Sequence, residues 1–330
     1  MNDIILGIET SCDDTAVALV DSEGTILSSV VASQLDVHAG FGGIYPEFAA
    51  RAHISAILPT VHEAFRKARI TPDDIKAIGV TRGPGLIGSL LVGLNTATGL
   101  GLGWGKPVIG VNHLRGHLRS ADLEQKRVKF PATVLLVSGG HTFLAYMKSA
   151  VNVRLLGSTS DDSVGETYDK VGRMLGLGYP GGPAVDRLAK EGHPSIPFPR
   201  PVINKGLSFS FSGLKSAVAR YMDAHQEAVY ADVAASFVRA VMDVLIKKSE
   251  LALRKYPSES FVIVGGVAAS PQLREEAGKL CGKMGVELCL PPLRWSTDNA
   301  AMIALATFDY LNLSACKEPV ADLQLTMSDF

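Results

Sequence analysis

The chain has 330 residues, with 33 glycines, 47% hydrophobic and 20% charged residues, and 32 Lys and Arg against 33 Asp and Glu, a formal net charge of -1. That composition excludes a disordered or fibrous chain and is large enough for two domain-sized cores. Near-neutrality argues against an autonomous, strongly cationic nucleic-acid binder, though it permits a local basic patch. In chain order, residues 4 to 31 read as three strands, IILGIE, TAVALV and TILSSVV, joined by polar turns at Thr10 to Asp14 and Asp21 to Gly24. An amphipathic helix, HISAILPTVHEAFRKA, follows at 53 to 68. Next comes a strand entering a glycine turn and a helix, IKAIGV-TRGPG-LIGSLLVGL, at 75 to 94, and then a short strand, PVIGV, before Asn112-His113. No residue from Gly83 to Gly105 is charged, yet its eight glycines, internal proline, Asn95, Thr96 and Thr98 fit a buried, closely packed helix better than a lipid-facing span.

Residues 133 to 158 repeat the opening meander as TVLLVS, HTFLAYMK and VRLLGS. A strand with a glycine turn and helix recurs at FVIVGGVAASPQLREEAGKL, 261 to 280, and a short strand, VELCLP at 286 to 291, precedes the run containing Asp298. Matching order over both halves identifies a duplication. The expected domains are an N-terminal lobe at 1-130 and a C-terminal lobe at 131-330, the second enlarged by an insertion at about 159-215. A helix at 232 to 256 with a basic C-terminal end completes the second core. The expected architecture is two α/β lobes facing each other, with a ligand cleft at the ends of the strands.

His113 and His117, in HLRGH, stand at i and i+4, on one face of a helix and at the separation that two ligands of one metal need. Alone, that spacing is shared with ordinary surface or core pairs. The duplication strengthens it, because Asp298 follows the equivalent strand of the second half; two His and one carboxylate make an open metal site. Asp298 in STDN also suits the cap of the helix AAMIALATF, and both readings stand at this point. Three glycine turns, Ser138-Gly139-Gly140, Gly181-Gly182 and Gly265-Gly266, are of the kind that brings backbone N–H groups to phosphate oxygens. Between two of them lie Asp161, Asp162, Glu166 and Asp169, usable on a ribose, on a metal water or as a solvated face. No GxSxG or HExxH motif is present. The four cysteines, Cys12, Cys281, Cys289 and Cys316, form no CxxC pair, and the start Met1-Asn2-Asp3 lacks the basic region of a signal peptide. A reducing, cytoplasmic location is expected, with no membrane association.

Taken together, GIETSCDDT at 7 to 15, GPGLIGSLLVG at 83 to 93, VNHLRGH at 111 to 117, LLVSGGHT at 135 to 142, DDSVGETYDK at 161 to 170, LGLGYPGGP at 175 to 183, FSFSGLK at 209 to 215, VGGVA at 264 to 268 and STDNAAMIA at 296 to 304 resemble the tRNA N6-adenosine threonylcarbamoyltransferase family (the TsaD/YgjD/Gcp group, formerly O-sialoglycoprotein endopeptidase). The resemblance implies an actin-like ATPase fold, that of the sugar-kinase and heat-shock-chaperone superfamily, with two RNase H-like lobes and an interlobe cleft. It implies a metal-dependent acyltransferase that moves an L-threonylcarbamoyl group from threonylcarbamoyl-AMP to the exocyclic N6 amine of the adenosine 3′ of the anticodon, in tRNAs reading codons that start with A. A catalytically reduced ATP-binding scaffold subunit of the same complex is the alternative, and a metallopeptidase a distant third.

Carried over by resemblance, His113, His117 and Asp298 match the metal ligands, with Fe(2+) first and Zn or Mg as alternatives. Leu136, Val137, Ser138, Gly139 and Gly140, with Asp169, Gly182, Asp186 and Ser270, match the adenine-nucleotide or threonylcarbamoyl-AMP site, and the Ser138 to Gly140 amides match an oxyanion support. Implied partners are tRNA, a TsaB-like paralogue in a heterodimer and a TsaE-like ATPase in bacteria, or a second copy in a homodimer, with the adenylate coming from a separate synthase. By the same likeness the helix at 53 to 68 is a candidate dimerisation surface, with an ordinary amphipathic surface helix as the equal alternative. The chain departs from the family pattern at Asp14 (for Glu), Phe143 (for Gln), Ser158 (for Glu), Ser270 (for Asn) and Ser296 (for Cys), none of them a metal ligand.

Overall fold

The computed structural model describes residues 2–34, 43–124, 128–312, 319–326 and 329. The chain divides into two compact units, Met1–Arg127 with Pro291–Phe330, and Val128–Leu290.

In the first unit the strands β1 (Ile4–Glu9), β2 (Asp14–Asp21), β3 (Ile26–Ser33), β4 (Ile75–Gly83) and β5 (Val108–Asn112) form one sheet in the order β3-β2-β1-β4-β5. The meander pairs are antiparallel, and β1-β4 and β4-β5 are parallel. Side chains alternate across the sheet. Leu6, Ile8, Val17, Leu19, Ile78 and Val80 pack on one face beneath α1 (Pro46–Ala68) and α2 (Ile87–Trp104). Ile5, Ala16, Ala18, Val20 and Ala77 pack on the other beneath α9 (Ala300–Asn312). Gly7 sits on that second face because a Cβ there would collide with the Ala300 carbonyl and with Ala304, so the absent side chain lets α9 lie directly on β1. Between β5 and the second unit runs the short helix α3 (His113–Arg119).

The second unit repeats the plan. Its strands β6 (Ala132–Val137), β7 (Thr142–Met147), β8 (Val153–Ser158), β9 (Ser260–Val264) and β10 (Glu287–Cys289) take the equivalent order β8-β7-β6-β9-β10, with the same pattern of antiparallel and parallel pairs. Between β8 and β9 lie α4 (Val164–Met174), α5 (Gly181–Ala189), α6 (Ser212–Ala224) and α7 (Tyr230–Lys255), and α8 (Pro271–Met284) connects β9 to β10. In the first unit the corresponding connection between β3 and β4 carries α1.

Two expectations need correction. The second unit ends at Leu290 rather than at the C-terminus, because α9 finds its apolar surface on β1 and β2 and so draws residues from Pro291 onward into the first unit. The uncharged helix is α2, and it is buried on one side only. Leu90, Gly93, Leu94 and Ala97 face the sheet, whereas Ile87, Leu91 and Leu102 are exposed. Among the described residues no helix is long and apolar enough to cross a membrane.

Candidate functional site

In the first unit, β5 runs directly into α3, and Asn112 caps that helix by accepting from the Leu114 N–H at 3.0 Å. One helical turn separates His113 from His117, which places their rings 4.7 Å apart and nearly perpendicular, at 81°. Asp298 reaches them from the approach to α9. The cap of α9 is its neighbour: Asn299 Oδ1 accepts from the Met302 N–H at 2.9 Å. Asp298 is thereby left to face the imidazoles, its Oδ1 3.5 Å from His113 Nε2 and 3.0 Å from His117 Nε2. One donor atom from each of the three residues lies within 4.8 Å of the others.

Glu9 is the residue that sequence reasoning missed. It ends β1 with its side chain buried, and its Oε2 lies 2.9 Å from His113 Nδ1. The Thr81 hydroxyl donates to the same oxygen at 2.6 Å, and the Ser11 N–H donates to Oε1 at 2.5 Å. A carboxylate at Nδ1 fixes a proton there, so Nε2, which faces Asp298, is the nitrogen available to a metal once its own proton has left. Burial by itself would depress the His113 pKa, but the charges of Glu9 and Asp298 outweigh it and raise it to about 9. Burial would likewise raise Glu9, and the neighbouring His113 reverses that and holds its carboxyl below the ordinary range. The available signal is a carboxylate closing an otherwise wholly apolar strand.

These residues fit a divalent metal ion. His117 is fully buried, and neither of its ring nitrogens has a hydrogen-bond partner although Nε2 stands 3.0 Å from Asp298. Close approach without donor alignment is what two ligands of one cation show. Two imidazoles and one carboxylate suit Fe(2+) or Zn better than Mg, which prefers oxygen.

In the second unit the nucleotide candidates gather at the C-terminal ends of β6 and β9. Leu136 and Val137 are buried in the sheet, paired with Phe143 and Thr142, so only their backbone is available. Gly139 and Gly140 are exposed, and a Cβ at either would meet nothing within 4 Å. Their turn is fastened from behind: the Ser163 hydroxyl donates to the Gly139 carbonyl, and the Gly165 N–H to the Ser138 carbonyl at 3.3 Å. Gly265, at φ 93°, lies so close to the Val137 carbonyl that a side chain could not fit. Asp169 is differently placed from a free ribose acceptor, for its Oδ1 accepts from the Gly181 N–H at 2.8 Å and so caps α5. Asp186 adjoins the Tyr168 and Ser270 hydroxyls, and burial raises its pKa. Asp186, Tyr168 and Ser270 thus bring their polar atoms together in one buried cluster. Of the other departures, Phe143 and Ser296 are buried, Ser158 ends β8, and Asp14 has its carboxyl pKa raised by burial, with Oδ1 lacking a hydrogen-bond partner.

A duplicated five-stranded sheet of this order, with helices on its faces, is an actin-like ATPase fold. HypF from T. kodakarensis superposes with a TM-score of 0.64 at 14% identity, over 95% of this chain and 48% of that one. The activator of 2-hydroxyisocaproyl-CoA dehydratase from Clostridium difficile, solved with ADPNP, superposes with a TM-score of 0.54 at 15% identity, over 94% and 97%. The family model for TsaD, tRNA N6-adenosine threonylcarbamoyltransferase, matches residues 25–305. Relatives bearing that description are 48% identical in Clostridium botulinum strain Hall, over 93% of this chain and 92% of the relative, and 48% identical in Bacillus subtilis strain 168, over 92% and 89%. The chain belongs to the tRNA N6-adenosine threonylcarbamoyltransferase family.

Proposed function

We propose that this chain transfers the L-threonylcarbamoyl group of threonylcarbamoyl-AMP to the N6 amine of the adenosine 3′ of the anticodon in tRNAs reading codons that start with A, and that His113, His117 and Asp298 hold the divalent metal the reaction uses. The observation that carries the metal assignment is the convergence of those three donors, with His117 buried and unpartnered. A metal held there supplies a Lewis acid for the carbamoyl carbonyl or the adenylate phosphate. Glu9 keeps the His113 Nδ1 proton in place and orients the ring. The exposed Gly139 and Gly140 offer backbone donors to the developing oxyanion, the Ser138 N–H being already given to the His141 carbonyl at 2.8 Å, while Asp186 and Ser270 orient the adenylate through its hydroxyls. Asp169 serves by holding Gly181 and Gly182 in place. The N6–C bond forms as the C–O bond to phosphate breaks, AMP leaves with the electron pair, and the proton released by N6 passes to solvent. Because AMP is a good leaving group, positioning and charge stabilisation can provide most of the acceleration. The setting is cytoplasmic, in keeping with Cys12 and Cys281 as free thiols.

Incubation with threonylcarbamoyl-AMP, unmodified tRNA and the expected partners should yield the modified nucleoside, and His113→Ala should lose it. Absence of product from the wild type, with a related enzyme active in parallel, overturns the reading.

We also propose that the groove between α1 and α2, about 550 Å³ and lined by Ile54, Leu58, Leu91 and Leu100 among others, seats a related chain, a TsaB-like paralogue or a second copy. Ile54 and Leu58 are more than half exposed, which is unusual for large aliphatics on a folded surface. The double variant Ile54→Asp, Leu58→Asp should remove the dimer from a light-scattering profile while leaving the circular dichroism spectrum unchanged.

A further inference from the structure

Asn112 stands next to the first proposed metal ligand and uses both ends of its amide. Its Oδ1 caps α3. Its Nδ2 donates to two carbonyls of the C-terminal tail, Thr326 at 2.8 Å and Asp329 at 3.0 Å, and its backbone N–H donates to the Tyr310 hydroxyl at 3.0 Å. The tail is shaped for this. The Asp329 carboxylate accepts from the Thr326 N–H at 2.7 Å and from its hydroxyl at 2.8 Å, and these bonds hold together the two residues whose carbonyls meet the one donor group. Further back, the Asp322 N–H donates to the Arg82 carbonyl at 2.8 Å, against Gly83, where any side chain would collide with the Asp322 carbonyl. The tail's Asp329 also lies in the field of Arg82 and of Arg115, the latter on α3 between the two histidines. The Arg115 guanidinium is buried, and Asp309 and Asp329 are the carboxylates whose charge offsets it.

We propose that the C-terminal tail is a positioning strap for the metal centre: Thr326 and Asp329, through the amide of Asn112, fix the start of α3 and hence the placement of His113. Asn112 and Asp329 are thus positioning residues, acting on the metal through the helix that carries two of its ligands. The inference rests on the metal reading of His113, His117 and Asp298.

The variant Asn112→Ser separates the two jobs, since serine keeps a helix cap but offers nothing to the tail. Asp329→Ala removes the two bonds to Thr326 from an exposed position and leaves Asn112 intact. Co2+ is titrated into the metal-stripped full-length protein, and its visible d–d bands are followed, with thermal melts alongside. The wild type should bind Co2+. Asn112→Ser should bind it about ten-fold more weakly, as outer-shell changes do, with altered band intensities, and Asp329→Ala should move affinity and bands in the same direction. Unchanged affinity and bands in a folded Asp329→Ala protein overturn the strap, whatever the melts show, and remain decisive if Asn112→Ser fails to fold. A wild type that binds no Co2+ overturns the metal reading as well, so the two failures are distinguishable.

Discussion

His113 is held between two carboxylates, Glu9 at Nδ1 and Asp298 beside Nε2, and that arrangement sets how metal and proton compete. With its pKa raised to about 9, the metal-free ring carries both protons at neutral pH, and a metal must displace the one on Nε2. Apparent metal affinity should therefore rise with pH, by about ten-fold per unit while His113 remains protonated, and level off above the raised pKa. Glu9→Gln should lower affinity by ten-fold or more, as removal of a ligand's carboxylate partner does, and should also flatten the pH dependence by bringing the His113 pKa down; chelator competition across pH checks both. The histidine pair was legible in the sequence because helical spacing alone aligns i and i+4. Asp298 became legible only through the duplication, and the structure resolves its two readings by giving the cap to Asn299. Glu9 and Asn112 were not legible: each acts through a contact about a hundred residues or more away in the chain, and nothing local distinguishes Glu9 from a strand end or Asn112 from an ordinary helix cap.

At the scale of elements, the strand order followed from sequence because each meander is a run of apolar residues broken by polar turns, and because a strand leading through a glycine turn into a helix favours a parallel crossover. The acidic cluster was ambiguous by spacing, and the structure divides it. Asp162 pairs with Lys170 and Lys215, and Asp161 anchors the start of α6. It accepts from the Phe211 N–H at 2.8 Å, the Ser212 N–H at 3.2 Å, and the Ser210 and Ser212 hydroxyls at 2.5 and 2.9 Å. Partial burial would raise its pKa, but those four donors outweigh it and hold the carboxyl below the ordinary range. The stabilisation is therefore complete above the unfolded carboxylate pKa of about 3.9 and is lost as pH falls through the lower folded value. Asp161→Asn should destabilise by about 1 kcal/mol at neutral pH, allowing for solvent screening. In urea titrations its difference from the wild type should shrink as pH falls below about 4.

For the whole molecule, the two proposed ligands belong to different units, the metal to the first and the adenylate to the second. A ligand that binds only folded protein stabilises it by about 2.7 kcal/mol at a hundred times its Kd. Hydrogen exchange should accordingly show a divalent metal protecting α3 and α9, and AMP protecting the β6–β7 turn and α5, each effect largest in its own unit. Protection confined to the opposite unit would contradict the assignment. The boundary at Leu290 was the least legible feature of the sequence, since β10 and the segment beyond it are continuous in composition and only the apolar face of α9, matched to β1 and β2, marks the crossing.

That crossing imposes an order on synthesis. The second unit is one uninterrupted stretch, Val128–Leu290, and can complete its core as soon as it has left the ribosome. The first unit is made in two instalments, with Asp298 and α9 in the last of them. A nascent chain therefore displays His113 and His117 for some 180 residues of translation before Asp298 exists, and the three proposed ligands come together only once the second instalment of the first unit has been made.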